Sequence, residues 1–256
     1  MRVATFNVNG LRARQEFLLH WLRARQPDVV GLQELKLEDQ HFPSEALAAE
    51  GYRAVCFGQK SWNGVAILAR GEEPKVVRRG LAGHEALGAR LLTADVGDLR
   101  FTTVYVPNGK YVGHEDFGTK LAWLDALPGA LGEDAGRPAV LVGDFNVCPA
   151  PIDSWNEAGL AGRIFHTDAE RERIGKLKKA GWRDLFRERH PERQAFSWWD
   201  YRAGSFHKGH GLRIDLLFGS DLALARMREC EIDRDYRKKQ GGFVSSDHAP
   251  VWADLE

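Results

Sequence analysis

The sequence predicts an α/β protein whose sheets are mixed or antiparallel, not a plain doubly wound parallel sheet. Three observations carry this: short strand-like runs bounded by turn residues, helical patterns set between them, and two adjacent runs joined by Gly97-Asp98 as a hairpin. The strand candidates are Arg2–Asn7, Val29–Gln33, Gly64–Ala69, Arg90–Val96, Leu99–Val106, Ala139–Val142, Arg213–Phe218 and Val251–Asp254. Between the first two runs, Phe17, Leu18, Trp21 and Leu22 recur at helical spacing, predicting a helix over 12–26 that Pro27 ends. Leu121, Leu124 and Leu127 mark a second helix over 119–127, closed by Pro128. A third, basic helix is predicted over 169–180.

With 256 residues, 43% hydrophobic and 28% charged, the chain can bury a real core, which excludes disorder as its main state. No apolar run approaches the roughly 18 residues of a membrane span, and the N-terminus meets Asn7 and Asn9 before an apolar signal region can form, so a soluble, cytoplasmic protein is expected. Cys56, Cys148 and Cys230 lie far apart with no C-x-x-C pair, which argues against a disulfide framework or a thiolate zinc site. No repeat and no Pro/Ser-rich linker divides the chain, so one domain over 1–256 is the simplest organisation. Net charge is zero, but residues 161–240 hold 19 Lys and Arg against 13 Asp and Glu. That excess is weak evidence for a nucleic-acid partner, because a charge run is usually a solvated face.

Polar and ionisable residues sit repeatedly at strand ends. Asn7 and Asn9 follow the first strand, Gln33 and Glu34 the second, Tyr105 and Asn108 close another, Asp144 and Asn146 follow Val140-Leu141-Val142-Gly143, Asp215 lies inside 212–218, and Asp247-His248 precede the last strand. Taken singly, each has an ordinary structural explanation: an Asp after a strand is commonly a turn or cap, and Asn-Gly is turn chemistry. Together they put carboxylates, amides, one phenol and one imidazole on one rim. There is no Gly-x-Ser-x-Gly elbow and no Walker-type loop, which excludes serine-hydrolase and P-loop chemistry. An oxygen-rich set without thiolates suits a hard cation such as Mg²⁺ or Mn²⁺, and with a basic flank it suggests phosphate-ester chemistry.

The strings Phe6-Asn7-Val8-Asn9-Gly10-Leu11-Arg12, Leu32-Gln33-Glu34-Leu35-Lys36, Asn63-Gly64-Val65-Ala66, Tyr105-Val106-Pro107-Asn108, Gly143-Asp144-Phe145-Asn146, Phe196-Ser197-Trp198-Trp199-Asp200-Tyr201-Arg202, Gly211-Leu212-Arg213-Ile214-Asp215 and Ser246-Asp247-His248-Ala249-Pro250 resemble, in order and spacing, the exonuclease III family of DNA-repair nucleases. The resemblance spans essentially the whole chain and favours a bacterial sub-branch. It implies a four-layer α/β sandwich, with two mixed, mainly antiparallel sheets face to face and helices outside. It also implies a monomeric Mg²⁺-dependent enzyme on duplex DNA with abasic sites or blocked or recessed 3′ ends, acting as 3′→5′ exonuclease, 3′-phosphatase and abasic-site endonuclease, close to the bacterial nucleoid.

Residue by residue, the resemblance makes Glu34 the principal metal ligand, with Asp247 and Asn7 assisting. Asp144 would deprotonate the attacking water, with Asn146 holding a phosphate oxygen or that aspartate. His248, supported by Asp215, would donate to a phosphate oxygen, and Tyr105 would act as phenol or phenolate. Asn108 would line the same rim. Asn9 stands where some members have Asp, which puts a ligand role there in question. Trp198, Leu212 and Ile214 match an apolar pocket for a flipped-out abasic sugar. Lys176, Lys178 and Lys179 would contact backbone phosphates. The stretch Arg163-Ile164-Phe165-His166-Thr167-Asp168-Ala169-Glu170-Arg171 departs from the family's Gly-Phe-x-Pro-x-Glu-Arg, so bulk at Phe165 or His166 is expected to narrow the sugar pocket and favour 3′-end processing. Two other classes stay open on the sequence alone: a catalytically silent nucleic-acid binder, and a phosphatase of lipids or small phosphate esters.

Overall fold

The computed structural model describes residues 1–256, with every side chain except that of Glu133. The strands are β1 (Arg2–Asn7), β2 (Val29–Gln33), β3 (Tyr52–Phe57), β4 (Val65–Arg70), β5 (Lys75–Arg79), β6 (Leu91–Val96), β7 (Leu99–Tyr105), β8 (Ala139–Asp144), β9 (Arg183–Asp184), β10 (Asp215–Gly219), β11 (Met227–Ile232) and β12 (Val251–Leu255). They form two six-stranded sheets, ordered β11-β12-β1-β2-β4-β3 and β5-β6-β7-β8-β10-β9. The helices are α1 (Leu11–Arg25), α2 (Ser44–Ala49), α3 (Glu115–Leu131), α4 (Glu157–Leu160), α5 (Asp168–Lys179), α6 (Leu185–Arg189), α7 (Ser205–Lys208) and α8 (Asp221–Arg226). Parallel pairing occurs at β1/β2 and β7/β8, the two places where a long helix, α1 or α3, supplies the crossover. No helix is long and apolar enough to cross a membrane.

The period of two along each strand sorts side chains into layers. Val3, Val29, Phe101, Val140, Val142 and Leu217 fill the space between the sheets. Their neighbours in sequence pack outward, Ala4, Phe6, Val30 and Leu32 against α1 and α2, and Leu141, Leu216 and Phe218 against α3 and α5. Close approach of the sheets depends on Gly31, where a Cβ would lie 2.7 Å from Thr103 Oγ1 and 2.8 Å from Val142. Gly143 is equally constrained: at φ 147° its Cβ would fall 1.9 Å from the Val104 carbonyl oxygen of the neighbouring strand.

The expected layers are present, and the differences are local. Edge strands β3, β5, β9 and β11 lack the alternation or length that announces a strand; Lys75-Val-Val-Arg-Arg is largely exposed and pairs only with β6. The second helix is longer than its pattern, starting at Glu115 under a His114 cap, and Pro128 lies inside it instead of ending it. Proline there removes one hydrogen bond, while Leu124, Leu127 and Leu131 continue a single buried stripe past it.

A buried ionic network anchors the segment that enters β10. Arg213, 1% exposed, donates to Asp153 at 2.7 and 3.1 Å and to Asp184 at 2.7 Å, and Arg187 adds a further bond to Asp153 at 2.5 Å. Burial alone would raise the Asp153 carboxyl, but Arg213 and then Arg187 outweigh it and hold the group below its ordinary value. Removing one partner of such a network strands the others, so Arg213→Met is expected to lose roughly 3–5 kcal/mol in urea unfolding at neutral pH. Because the folded Asp153 value is depressed, this contribution is complete above the ordinary carboxylate range and disappears as pH falls through the lower folded value. The gap between wild type and variant therefore narrows in acid; a gap independent of pH would contradict the assignment.

Candidate active site

The strand ends converge on one edge of the sandwich. Asn7, Tyr105 and Asp144 continue the inward-facing rows of β1, β7 and β8 where those strands run out, and Asp215 opens β10, which runs antiparallel beside β8 with Asp215 opposite Asp144. The loop 246–248, leading to antiparallel β12, returns Asp247 and His248 to the same edge. Glu34 reaches it by a left-handed residue, φ 54°, directly after β2, with the chain fixed by Gly10 N–H donating to the Glu34 carbonyl at 2.7 Å. Asn9 and Asn146 take the same backbone region at φ 46° and 51°. Non-glycine residues held there are a recurrent mark of functional loops.

The Asn7 carboxamide donates to Glu34 Oε1 at 2.9 Å and to Asp144 Oδ2 at 2.9 Å, bridging the two sheets, while its Oδ1 accepts from Asn9 N–H. Asn7 thus sits as a clamp between two carboxylates, with its carbonyl oxygen already occupied. Asn9 donates to Asp247 at 2.8 Å and accepts from Lys36 at 2.6 Å, and Lys36 also pairs with Glu34 at 2.9 Å. Asp247 accepts from the Trp198 indole at 3.0 Å. His248 Nδ1 lies 2.9 Å from Asp215, and its Nε2 faces Asp144 at 3.9 Å. Asn146 N–H donates to Asp144 Oδ1 at 2.9 Å, and its side chain bonds the Val106 carbonyl and meets Asn108.

The electrostatics follow from burial and crowding. Burial pushes the Asp144 carboxyl up to about 7, helped by Asp215 and Glu34 and opposed by His248. Burial disfavours charge on His248, but Asp215 in contact and Asp247 and Asp144 nearby reverse that and raise the imidazole to about 10. Tyr105 is raised well above its ordinary value by burial and then by Glu34 and Asp144, so it is held as a phenol and not a phenolate.

A divalent cation fits this donor set. Ligand atoms of Glu34, Asp144 and His248 lie within 4.8 Å of one another; His248 has Nδ1 engaged by Asp215, and the carboxylate oxygens of Glu34 and Asp144 are the hard donors. Glu34, Asp144, Asp215 and Asp247 outnumber the cations beside them, His248, Lys36 and Arg90, which leaves the centre acidic. Asp247 falls outside this grouping and connects to it through Asn9.

Beside these groups lies a cavity of about 340 Å³ whose apolar wall includes Trp198, Ile214, Ile164 and Phe165. Leu212 is buried behind it with Cys148. Phe165 adopts φ 72°, a conformation that favours glycine, and lines the cavity, whereas His166 is 3% exposed and bonded at 2.9 Å to Ser154. Lys176, Lys178 and Lys179 are placed elsewhere. They lie on the last turn of α5, Lys176 paired with Asp125 at 2.6 Å, and that end abuts the segment entering β8, opposite the end that carries Asp144.

Lys110, Asp200 and Arg202 line the cavity without having been singled out from sequence. The support beneath it was not singled out either: Lys120, fully buried, pairs with Glu170 and donates to the Asn146 carbonyl at 2.6 Å, while Glu170 accepts from Phe165 N–H at 3.1 Å. The available signal was a lysine in register with Leu124, Leu127 and Leu131 on the apolar stripe of α3. Glu34→Gln is expected to weaken Mn²⁺ binding at least tenfold by electron paramagnetic resonance with the fold intact by circular dichroism; unchanged affinity would remove Glu34 from the metal centre.

Comparison with known proteins agrees with this geometry. The model of the Endonuclease/Exonuclease/phosphatase family matches residues 4–248. Exodeoxyribonuclease III of Haemophilus influenzae is 35% identical, with each chain covered in full. Among solved structures, the 3′ phosphatase NExo from Neisseria bound to product DNA hairpin superposes with a TM-score of 0.95 at 34% identity, covering 100% of this chain and 99% of that one. An AP endonuclease from Archaeoglobus fulgidus gives 0.94 at 32% identity, with 100% and 99% covered. The converging strand ends, the acidic centre and the full-length similarity together place this chain in the endonuclease/exonuclease/phosphatase family, among the relatives of exodeoxyribonuclease III.

Proposed function

We propose that the protein is a Mg²⁺-dependent nuclease of duplex DNA that works mainly at 3′ ends, as 3′→5′ exonuclease and 3′-phosphatase, with abasic-site incision as the weaker activity. The relatives just named include both a 3′ phosphatase and an AP endonuclease at nearly equal similarity, so they do not separate the two. What supports the 3′-end preference is Phe165, whose ring forms part of the wall an abasic sugar would enter. This reading has the enzyme work on DNA at the bacterial nucleoid, as a monomer.

Each residue then has a task that its surroundings support. A bound divalent cation supplies charge neutralisation at the phosphate. Asp144, buried and close to neutral pH in its titration, accepts the proton of the attacking water and is aimed by the Asn146 N–H and the Asn7 amide. His248, kept cationic by Asp215, donates from Nε2 to a non-bridging phosphate oxygen. Tyr105, as a phenol, donates to the phosphate as charge builds on it. Trp198 and Ile214 pack the terminal sugar, Asn108 and Lys110 complete the rim, and Asn9 holds Asp247 from outside it.

Single-turnover cleavage of two duplexes, one with an internal abasic analogue and one with a recessed 3′-phosphate, with Mg²⁺ or chelator, tests this. Removal of the 3′-phosphate should exceed abasic incision at least tenfold and vanish with chelator; faster abasic incision would overturn the preference, and cleavage of neither would restore the silent-binder reading. Phe165→Gly should shift the ratio toward abasic incision at least tenfold, whereas His166→Gly should leave it unchanged. Tyr105→Phe should lower kcat by roughly 10²-fold, the usual cost of one transition-state hydrogen-bond donor; a loss under threefold would remove Tyr105 from the chemistry.

A further inference from the structure

A second cavity, of about 400 Å³, lies next to the catalytic one and shares Asp200 with it. Arg237 lines it and is 8% exposed. The two buried arginines of this half of the chain contrast sharply. Arg213 bonds two carboxylates, whereas Arg237 bonds only the carbonyl oxygens of Asp247 and Trp199, each at 3.1 Å, and has no carboxylate within 4 Å among the described residues. Its Nη1 has no hydrogen-bond partner among the described residues, and its guanidinium lies 4.8 Å from the Tyr201 ring centroid and 5.4 Å from that of Phe206. A buried guanidinium without a counter-charge is costly unless an anion completes it.

The rim repeats the pattern. Lys239 has no carboxylate partner among the described residues, and the nearby acids are already engaged, Asp200 with Arg202 at 2.7 Å and Asp235 with Lys238 at 2.5 Å. Tyr201 is half exposed, so part of its ring is open to solvent. A cation held beneath aromatic faces, with a free ammonium at the mouth, is chemistry for a phosphate attached to a planar or sugar ring, that is, a nucleotide. Position narrows the source further. Arg237 Nε holds the carbonyl of Asp247, and Asp200 lines both cavities, so this one adjoins the catalytic cavity where a DNA strand would be seated.

We propose that this cavity is a flanking-nucleotide subsite, in which Arg237 and Lys239 take one phosphate of the bound DNA strand away from the bond being cleaved and Tyr201 packs against its nucleoside. The proposal rests on DNA being the substrate. It makes Arg237 a link between strand engagement and the loop that carries Asp247.

The test is binding by fluorescence anisotropy, in chelator so that nothing is cleaved, of a recessed-3′-end duplex and of a series carrying one uncharged methylphosphonate at each successive flanking position. Wild type should lose about fivefold to tenfold in affinity at one flanking position, and Lys239→Ala should bind the unmodified duplex correspondingly more weakly while losing less than twofold at that position. Its dependence of log affinity on log salt should fall by about one phosphate's share. Arg237→Gln, checked for folding by circular dichroism, should show the same insensitivity. A wild type indifferent to every flanking methylphosphonate, or variants that keep the wild-type sensitivity, would overturn the subsite. Competition by a free deoxynucleoside 5′-monophosphate that needs Lys239, without any methylphosphonate effect, would overturn it in favour of a free-nucleotide site. Failure to bind the unmodified duplex at all would overturn the DNA reading itself, and the subsite with it.

Discussion

The carboxamide of Asn7 donates to Glu34 within its own sheet and to Asp144 on the facing one, 2.9 Å to each, and the rest of the site is built around that span. For one short side chain to reach both, the sheets must pack closely and in fixed register, which is what Gly31 and Gly143 permit and the interdigitated valines between the sheets enforce. The left-handed turns at Glu34 and Asn146 then swing their side chains or N–H groups into the opening. Backbone strain at these positions is held in place by the sandwich on either side.

Charge is treated in opposite ways in the frame and at the rim. Arg213 with Asp153 and Asp184, and Lys120 with Glu170, are closed arrangements in which every buried charge has a counter-charge and a hydrogen bond. Glu170 holds the Phe165 N–H, and Arg213 directly precedes Ile214 in the chain, so both arrangements support the cavity wall. The rim, by contrast, is left with an acidic excess around Asp144 and a cation without a counter-charge at Arg237. A folded protein of marginal stability carries such unbalanced groups at a cost, and the balance is completed when a divalent cation and a phosphate strand arrive.

Most of the layers were legible because their strands are apolar or alternate cleanly, and the site was legible because residues at strand ends share a rim. Tyr105, Asp144, Asp215 and His248 needed only the correct strand assignment to be brought together. The edge strands were not: Lys75–Arg79 leaves Val76 and Val77 exposed beside its charges, and Met227–Ile232 sets only Cys230 and Ile232 inward between Arg228, Glu229 and Glu231. The basic helix lies apart from the site: Lys176, Lys178 and Lys179 complement the C-terminal end of α5 and, for Lys176, the carboxylate of Asp125, at the end of the layer away from the rim. Arg237 lies in a basic run that looks like an ordinary solvated face; only the fold shows that it is buried while Lys238 and Lys239 are exposed.

The claim that one amide couples the two sheets into a single site is tested most directly by a double-mutant cycle on the single-turnover rate of 3′-phosphate removal, using Asn7→Ala, Asp144→Asn and the pair. If Asn7 works by positioning Asp144, the double variant falls at least tenfold short of the product of the single losses, because the clamp has nothing left to aim. Losses that multiply to within twofold would show that Asn7 and Asp144 act independently, and would contradict the account.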